Sequence, residues 1–143
     1  MSLSRSPDFV KLWSGYTIAV IGSQITALAL PLTAILVLGA SATETGLLVA
    51  ARMAPALGLG LFIGAWVDRL PRRPIMVVSD LGSALVIASV PAAAALGLLG
   101  LLQLYVVAFL AGVFALATES ARTALLREGI SAAAIESASS IVA

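Results

Sequence analysis

The sequence contains no cysteine and no histidine, and only 10% of its 143 residues are charged. Without cysteine the chain forms no disulfide and no thiolate metal site, and without histidine it lacks the commonest metal ligand and general base. The seven acidic residues are spread along the chain, so they form no constellation for hydrolysis or metal binding. We therefore expect no enzyme activity, no catalytic residue, no metal site and no cofactor.

Polar surface is scarce as well. Hydrophobic residues make up 61% of the chain, and the mean hydropathy is +1.12. An ordinary soluble domain has roughly 25% charged residues, so this chain has too few polar side chains to cover a globule in water. The expected environment is a lipid bilayer. The net charge of +1 draws no polyanion strongly, and the arginines cluster at one turn with no aromatic platform beside them, which argues against a nucleic-acid partner.

Long apolar runs separated by short polar turns predict an all-α, polytopic membrane protein with four transmembrane helices. The first run is about 40 Å long at 1.5 Å per residue, which exceeds the bilayer core and predicts a tilt or a kink at Pro31. After the fourth run, Arg127-Glu128-Gly129 interrupts the apolar pattern, and a new element is expected to start near residue 131. The expected spans are residues 12–38, 46–67, 75–96 and 102–125, followed by a partial element at 131–143.

A short charged segment separates the second and third spans. One acid and three arginines fall between Asp68 and Arg73. Pro71 and Pro74 bracket the arginine pair, so one helix cannot run through the segment. The pattern predicts a tight basic turn between two membrane helices.

The basic residues also predict the orientation of the chain in the membrane. Seven of the eight flank the spans on the side of the basic turn, and the two opposite turns contain none. By the positive-inside rule this side is cytoplasmic. We expect a protein integral to the plasma membrane with both termini in the cytoplasm. The seven residues are Arg5, Lys11, Arg69, Arg72, Arg73, Arg122 and Arg127.

Three further charged residues lie close to the cytoplasmic ends of the spans. Asp80 is about one and a half turns inside the third span, where an unpaired carboxylate is costly, so we expect a partner among the arginines of the turn. Glu119 and Arg122 are three residues apart and neighbours on one helix face, which is sufficient for a purely structural ion pair. Asp80, Glu119 and Arg122 are expected to form an inner charge cluster with the basic turn.

Two polar residues lie deeper in the spans and are candidates for a substrate path. Gln24 is near the middle of the first span, where it either bonds a neighbouring helix or faces the path. Arg52 is about 9 Å from the expected outer start of the second span. It either extends to the outer interface or faces inward and holds an anion or a carboxylate partner.

The pattern Gly64-x-x-x-Asp68-Arg69-x-x-Arg72-Arg73 resembles the signature turn between helices two and three of the major facilitator superfamily. Other stretches are similar to the exporter branch of that family, which includes enterobactin and drug efflux proteins. The resemblance extends over nearly the whole chain. These stretches are Ser6-Pro7-Asp8-Phe9-x-Lys11-Leu12-Trp13, the run from Gly22 to Pro31, and Ala51-Arg52-x-x-Pro55.

This resemblance implies a fold of about twelve spans, of which residues 1–143 would be a partial N-terminal half. It implies alternating access between two halves, and secondary active export of small organic molecules of the drug or siderophore type. The implied partners are a small-molecule substrate and the missing second half or another polypeptide. The resemblance also implies a cytoplasmic latch that favours the outward-open state, formed by Gly64, Asp68, Arg69, Arg72 and Arg73.

Two other functions are compatible with four spans. A small exporter working as a dimer usually carries a carboxylate in its first span, and residues 12–38 contain none. A non-transporting membrane scaffold or accessory subunit is the alternative from a different functional class. The resemblance also has a departure, because Ala108 stands four residues before Gly112, where many proton-driven drug exporters have an arginine.

Overall fold

The computed structural model describes residues 7–142, and this part of the chain is all-α, as predicted. It contains five helices and no β-strand in that range. Arg5, which contributed to the expected orientation, lies outside the described residues. The helices are α1 (Pro7–Leu38), α2 (Ala42–Gly58), α3 (Gly60–Val67), α4 (Arg72–Ala95) and α5 (Leu101–Val142).

Three of these helices are long and apolar enough to cross a membrane. Their apolar segments are Trp13–Leu38, Arg72–Ala95 and Leu101–Ile141. A fourth crossing is present if α2 and α3 are counted as one broken span. The chain therefore has the helices of an integral membrane protein, with three or four candidate spans.

The second expected span, 46–67, is a bent pair of helices. The axes of α2 and α3 differ by 57°, and Leu59 at the break lies between Gly58 and Gly60. Pro55 lies one turn earlier and has no N–H to donate to the preceding turn. Kinks in helices usually occur at proline or at closely spaced small residues, and this segment has both.

The last helix differs most from the sequence expectation. Arg127-Glu128-Gly129 does not interrupt the helix, and residues 131–142 do not form a separate element, because α5 is continuous over 42 residues. Gly129 costs a helix about 1 kcal/mol relative to alanine, but the following Ala-rich segment has high helix propensity and contains no proline. At 1.5 Å per residue α5 is about 63 Å long, twice the thickness of a bilayer core.

The fifth helix is also the centre of the packing, since α1, α2, α3 and α4 all contact it. The buried apolar core lies away from the α3–α4 connection. Its side chains come from α1, α2, α4 and α5, so the core packs these four helices together at the end of the bundle away from that connection. The members are Leu30, Ala34, Leu48, Val90, Leu104, Val107 and Ala108.

Local sequence signals define the turns at that end of the bundle. Gly39 and Gly97 adopt φ values of 61° and 68°, the left-handed conformation that terminates α1 and α4. Helix α2 then starts with a capping box, in which the Glu44 N–H donates to the Ser41 hydroxyl and the Ser41 N–H donates to the Glu44 carboxylate. We call this end of the bundle the opposite end, and the end containing the α3–α4 connection the basic end.

Candidate functional site

The signature turn, residues 64–73, connects α3 to α4 as the sequence predicted. Asp68, Arg69 and Leu70 each donate a backbone N–H to a carbonyl of the last turn of α3, so that helix ends in tight turns. Pro71 then adopts an extended conformation, with φ −63° and ψ 124°, and precedes the first residue of α4. Because proline cannot continue the helix, four residues separate α3 from α4, and Arg72 is the first residue of α4.

A cleft of about 600 Å³ lies between this turn and α5. Asp68 and Arg72 line it from the turn, and Glu119, Arg127 and Glu128 line it from α5. Acidic and basic side chains from the turn and from α5 therefore line the same cleft. The cleft brings two of the four charged residues of the predicted latch together with Glu119 of the predicted charge cluster.

Arg72 makes the contacts that join the two sides. Its guanidinium forms an ion pair with Glu128 and donates a hydrogen bond to the Ala124 carbonyl at 3.2 Å. The Arg72 side chain is 22% exposed, whereas that of Glu128 is 66% exposed. The carbonyl bond adds a partner that does not depend on an exposed carboxylate, so Arg72 is held to α5 at two successive turns.

Glu119 and Arg122 form the expected ion pair, with 3.3 Å between the Arg122 Nη1 and a Glu119 carboxylate oxygen. The Arg122 guanidinium also lies over the ring of Tyr16, 4.2 Å from its centroid. This cation–π contact links α1 to α5 near the basic end. Arg122 thus has a packing role that the pairing with Glu119 alone did not indicate.

Asp80 has a different partner from the one expected. Its carboxylate accepts a hydrogen bond from the Thr118 hydroxyl at 3.1 Å, and neither of the two ion pairs found within residues 7–142 includes it. The reason is its position: Asp80 is an exposed residue of α4 within reach of Thr118 on α5, two turns beyond the arginines that begin α4. A threonine on α5 can supply the hydrogen bond there without an arginine.

The other two arginines of the signature turn do not join the cleft. Arg69 lines a second, smaller cleft of about 350 Å³ beside apolar side chains of α3, including Phe62 and Trp66. Arg73 is exposed. The charged residues predicted as one cluster are therefore distributed over two faces of the basic end.

The two candidates for a substrate path lie on neighbouring helices. Arg52 on α2 is partly buried, and its Nη2 donates a long hydrogen bond of 3.4 Å to the Ser23 carbonyl on α1. Gln24, the next residue along α1, is exposed. The structure brings Arg52 to the segment that contains Gln24, which the sequence did not reveal.

Sequence reasoning missed Glu128, Thr118 and Tyr16 as partners. Glu128 was assigned to a break in the apolar pattern, although the absence of proline after it was a signal for a continuing helix. The other two depend on which faces of distant helices meet. Among residues 7–142 there is also no group of three or more acidic side chains that could hold a metal ion.

The comparison with known families agrees with this architecture. The sequence model of the Major Facilitator Superfamily matches residues 12–143, from the first turns of α1 to the end of α5. No curated protein and no solved structure matches the chain significantly. The family match includes the signature turn and all of the apolar helices. The chain belongs to the major facilitator superfamily of membrane transport proteins.

Proposed function

We propose that this chain is part of a larger secondary transporter that exports small organic molecules of the drug or siderophore type. The observation that carries the proposal is the signature turn folded against α5, with Arg72 bonded to Glu128 and Ala124. The direction of transport and the class of substrate rest on the similarity of residues 6–13 and 22–31 to the exporter branch of the family.

The charged cleft would act as a latch in this mechanism. Alternating access requires helices to separate at one end of the bundle while they close at the other. Bonds between the start of α4 and α5 would hold the signature turn in place within this half, and contacts from the turn to the other half would oppose separation at the basic end. Asp68 faces the same cleft, where its carboxylate would be available to a helix supplied by the second half or by another polypeptide. The latch would then close when both sets of contacts form.

The basic end would face the cytoplasm of the cell, with the protein integral to the plasma membrane and both termini inside. The distribution of arginine and lysine supports this orientation. A cysteine-free chain suits the test, because single cysteines at Thr43 and Arg73 can be labelled in intact cells with an impermeant thiol reagent. Both positions are exposed. We expect labelling at 43 and not at 73, and the reverse result would contradict the orientation.

The transport function is tested by expressing the complete reading frame, including any continuation downstream, in cells that lack their own efflux pumps. Gradient-dependent export of a fluorescent dye should be lost in Asp68→Asn. Glu136→Gln is the matched control, since it makes the same carboxylate-to-amide change at an exposed position on α5. Insertion without export by the unsubstituted protein would instead favour the membrane scaffold or accessory subunit.

A further inference from the structure

Arg52 is half-buried and lies far from the opposite end of the bundle, and two measures of its distance from that end agree. It is ten residues after Ala42, the start of α2, which places its Cα about 15 Å from the opposite end at 1.5 Å per residue. Its carbonyl oxygen contacts Gly112, which is eleven residues after the start of α5 and so at about 16 Å. In a bilayer core of about 30 Å this is close to the midplane.

The side chain does not extend back towards the opposite end. Its Nη2 reaches the carbonyl of Ser23, which is fifteen residues before the end of α1 at Leu38 and so about 22 Å along that helix. Even if α1 were tilted by about 40°, the contact would remain about 17 Å deep. Of the two alternatives that the sequence left open, the inward-facing arginine fits this contact and the extension to the interface does not.

None of the acidic side chains that the structure describes forms an ion pair with Arg52. A guanidinium has five N–H donors, and the bond to Ser23 is the only side-chain hydrogen bond that Arg52 makes within the described part of the chain. The acid nearest in sequence, Glu44, is two turns away and bonded to Ser41. Asp80 is on α4, which packs on α5 at Thr118, about 9 Å deeper along α5 than Gly112.

We propose that Arg52 binds the anionic group of the transported molecule, a carboxylate or a phosphate, between α1 and α2. This inference rests on the proposed transport function and narrows its substrates to organic anions. An ionised side chain near the bilayer centre is costly unless an opposite charge or a set of acceptors meets it. The single long bond to Ser23 leaves the planar fork of the guanidinium available for the two-point contact that carboxylates and phosphates favour.

A lipid headgroup is a poor source for the anion, because its phosphate lies at the membrane surface and Arg52 lies near the midplane. A carboxylate from another part of a larger protein would meet the charge permanently. The two cases differ in a measurable way. A diffusible ligand would bind reversibly and would distinguish anions from neutral molecules of the same shape, whereas a permanent partner would leave no anion-dependent binding.

The test is a binding measurement on the full chain in nanodiscs of zwitterionic lipid, with benzoate and phenyl phosphate as probes and benzamide as the neutral control. We expect benzoate or phenyl phosphate to bind and benzamide not to bind. Arg52→Gln should weaken anion binding about tenfold or more, and Arg52→Lys should weaken it less, because lysine keeps the charge but loses the two-point geometry. Lys11→Gln removes one exposed positive charge and should leave binding unchanged.

Equal binding of benzoate and benzamide, or no binding of either, by the unsubstituted chain overturns the proposal without any variant having to fold. Unchanged anion binding in Arg52→Gln, with helicity intact by circular dichroism, overturns it as well. Competition by anionic lipid added to the nanodiscs would assign the site to a headgroup and would also overturn it. Dye efflux by the complete reading frame is measured separately, so a failure of the anion site is distinguishable from a failure of the transport function.

Discussion

Arg72 is the residue of the signature turn whose contacts reach farthest. It begins α4 and bonds a carboxylate and a carbonyl on α5, whereas the adjacent Arg73 points to an exposed position. The two arginines are equivalent in the sequence pattern, but only Arg72 bonds α5. This difference can be measured, because the same substitution at both positions removes the same charge.

We expect Arg72→Gln to lower the free energy of unfolding by about 1.5–3 kcal/mol, the range for a hydrogen bond to a charged group. Arg73→Gln should change it by no more than about 0.5 kcal/mol. Glu128→Gln should cost less than Arg72→Gln, because Arg72 keeps its bond to Ala124. Unfolding by sodium dodecyl sulfate in mixed micelles, followed by circular dichroism, measures all three. Equal losses at positions 72 and 73 would contradict the assigned contacts.

Two glycines of α5 make a second matched pair at the residue scale. A Cβ at Gly112 would overlap the backbone carbonyl of Arg52, which cannot move as a side-chain end could, whereas a Cβ at Gly129 would meet nothing within 4 Å. Gly112→Ala should therefore destabilise the chain by about 1–3 kcal/mol through overpacking of α2 against α5. Gly129→Ala should stabilise α5 by up to about 1 kcal/mol through helix propensity. The same micelle assay checks both signs, and a stabilising Gly112→Ala would rule out the close helix contact.

At the scale of elements, the sequence predicted what depends on neighbouring residues. The basic turn follows from Pro71, Pro74 and the charges between them, and the apolar runs mark the helices. Helix α2 begins at Ala42, four residues before the expected start of the second span at Gly46, and Ser41 and Glu44 have the spacing of a capping box that marks this start. That shift matters, because it changes the depth inferred for Arg52 from about 9 Å to about 15 Å.

Contacts between distant helices were the part that the sequence could not supply. Asp80 was expected to pair with an arginine because unpaired carboxylates in a membrane are costly, but the argument does not say which helix face meets it. The Thr118 hydroxyl gives the Asp80 carboxylate a hydrogen-bond partner in place of an arginine. Likewise, Arg122 could be paired with Glu119 from their spacing alone, while its contact with Tyr16 required knowing that α1 crosses α5 there.

The continuity of α5 through Gly129 has a direct test. Spin labels on cysteines at Thr123 and Ser139, both exposed, would be sixteen residues apart on one helix, or about 24 Å between Cα atoms. We expect a single narrow distance distribution near that value by pulsed electron resonance. Gly129→Pro should broaden it, because proline in a helix interior removes a hydrogen bond and kinks the chain. A broad or much shorter distribution in the unsubstituted chain would mean that α5 is two elements.

For the molecule as a whole, the exposed faces are as informative as the packed ones. Exposed leucines and isoleucines are satisfied by lipid, but small residues with open space around them are typical of helix surfaces that receive another helix. A Cβ at Gly60 or Gly64 of α3 would meet nothing within 4 Å. Gln24 is exposed, with no side-chain hydrogen bond among the described residues. These positions fit a bundle in which further helices pack around this one.

We therefore expect that the 143-residue chain alone does not transport. Its helices can insert, because each satisfies its own backbone hydrogen bonds. A substrate path between two halves needs helices that cover α3 and Gln24, and the described residues do not supply them. Asp68 lines a cleft, but the helix of the second half that it would contact is not among these residues. The measurement is dye efflux from proteoliposomes that contain only this purified chain under an imposed proton gradient. We expect no gradient-dependent flux above that of protein-free liposomes. Flux that appears with the chain and disappears in Asp68→Asn would refute this expectation, because four spans would then form a complete path. The glycines of α3, which have open space around them, would then have to be contacts between copies of the chain itself.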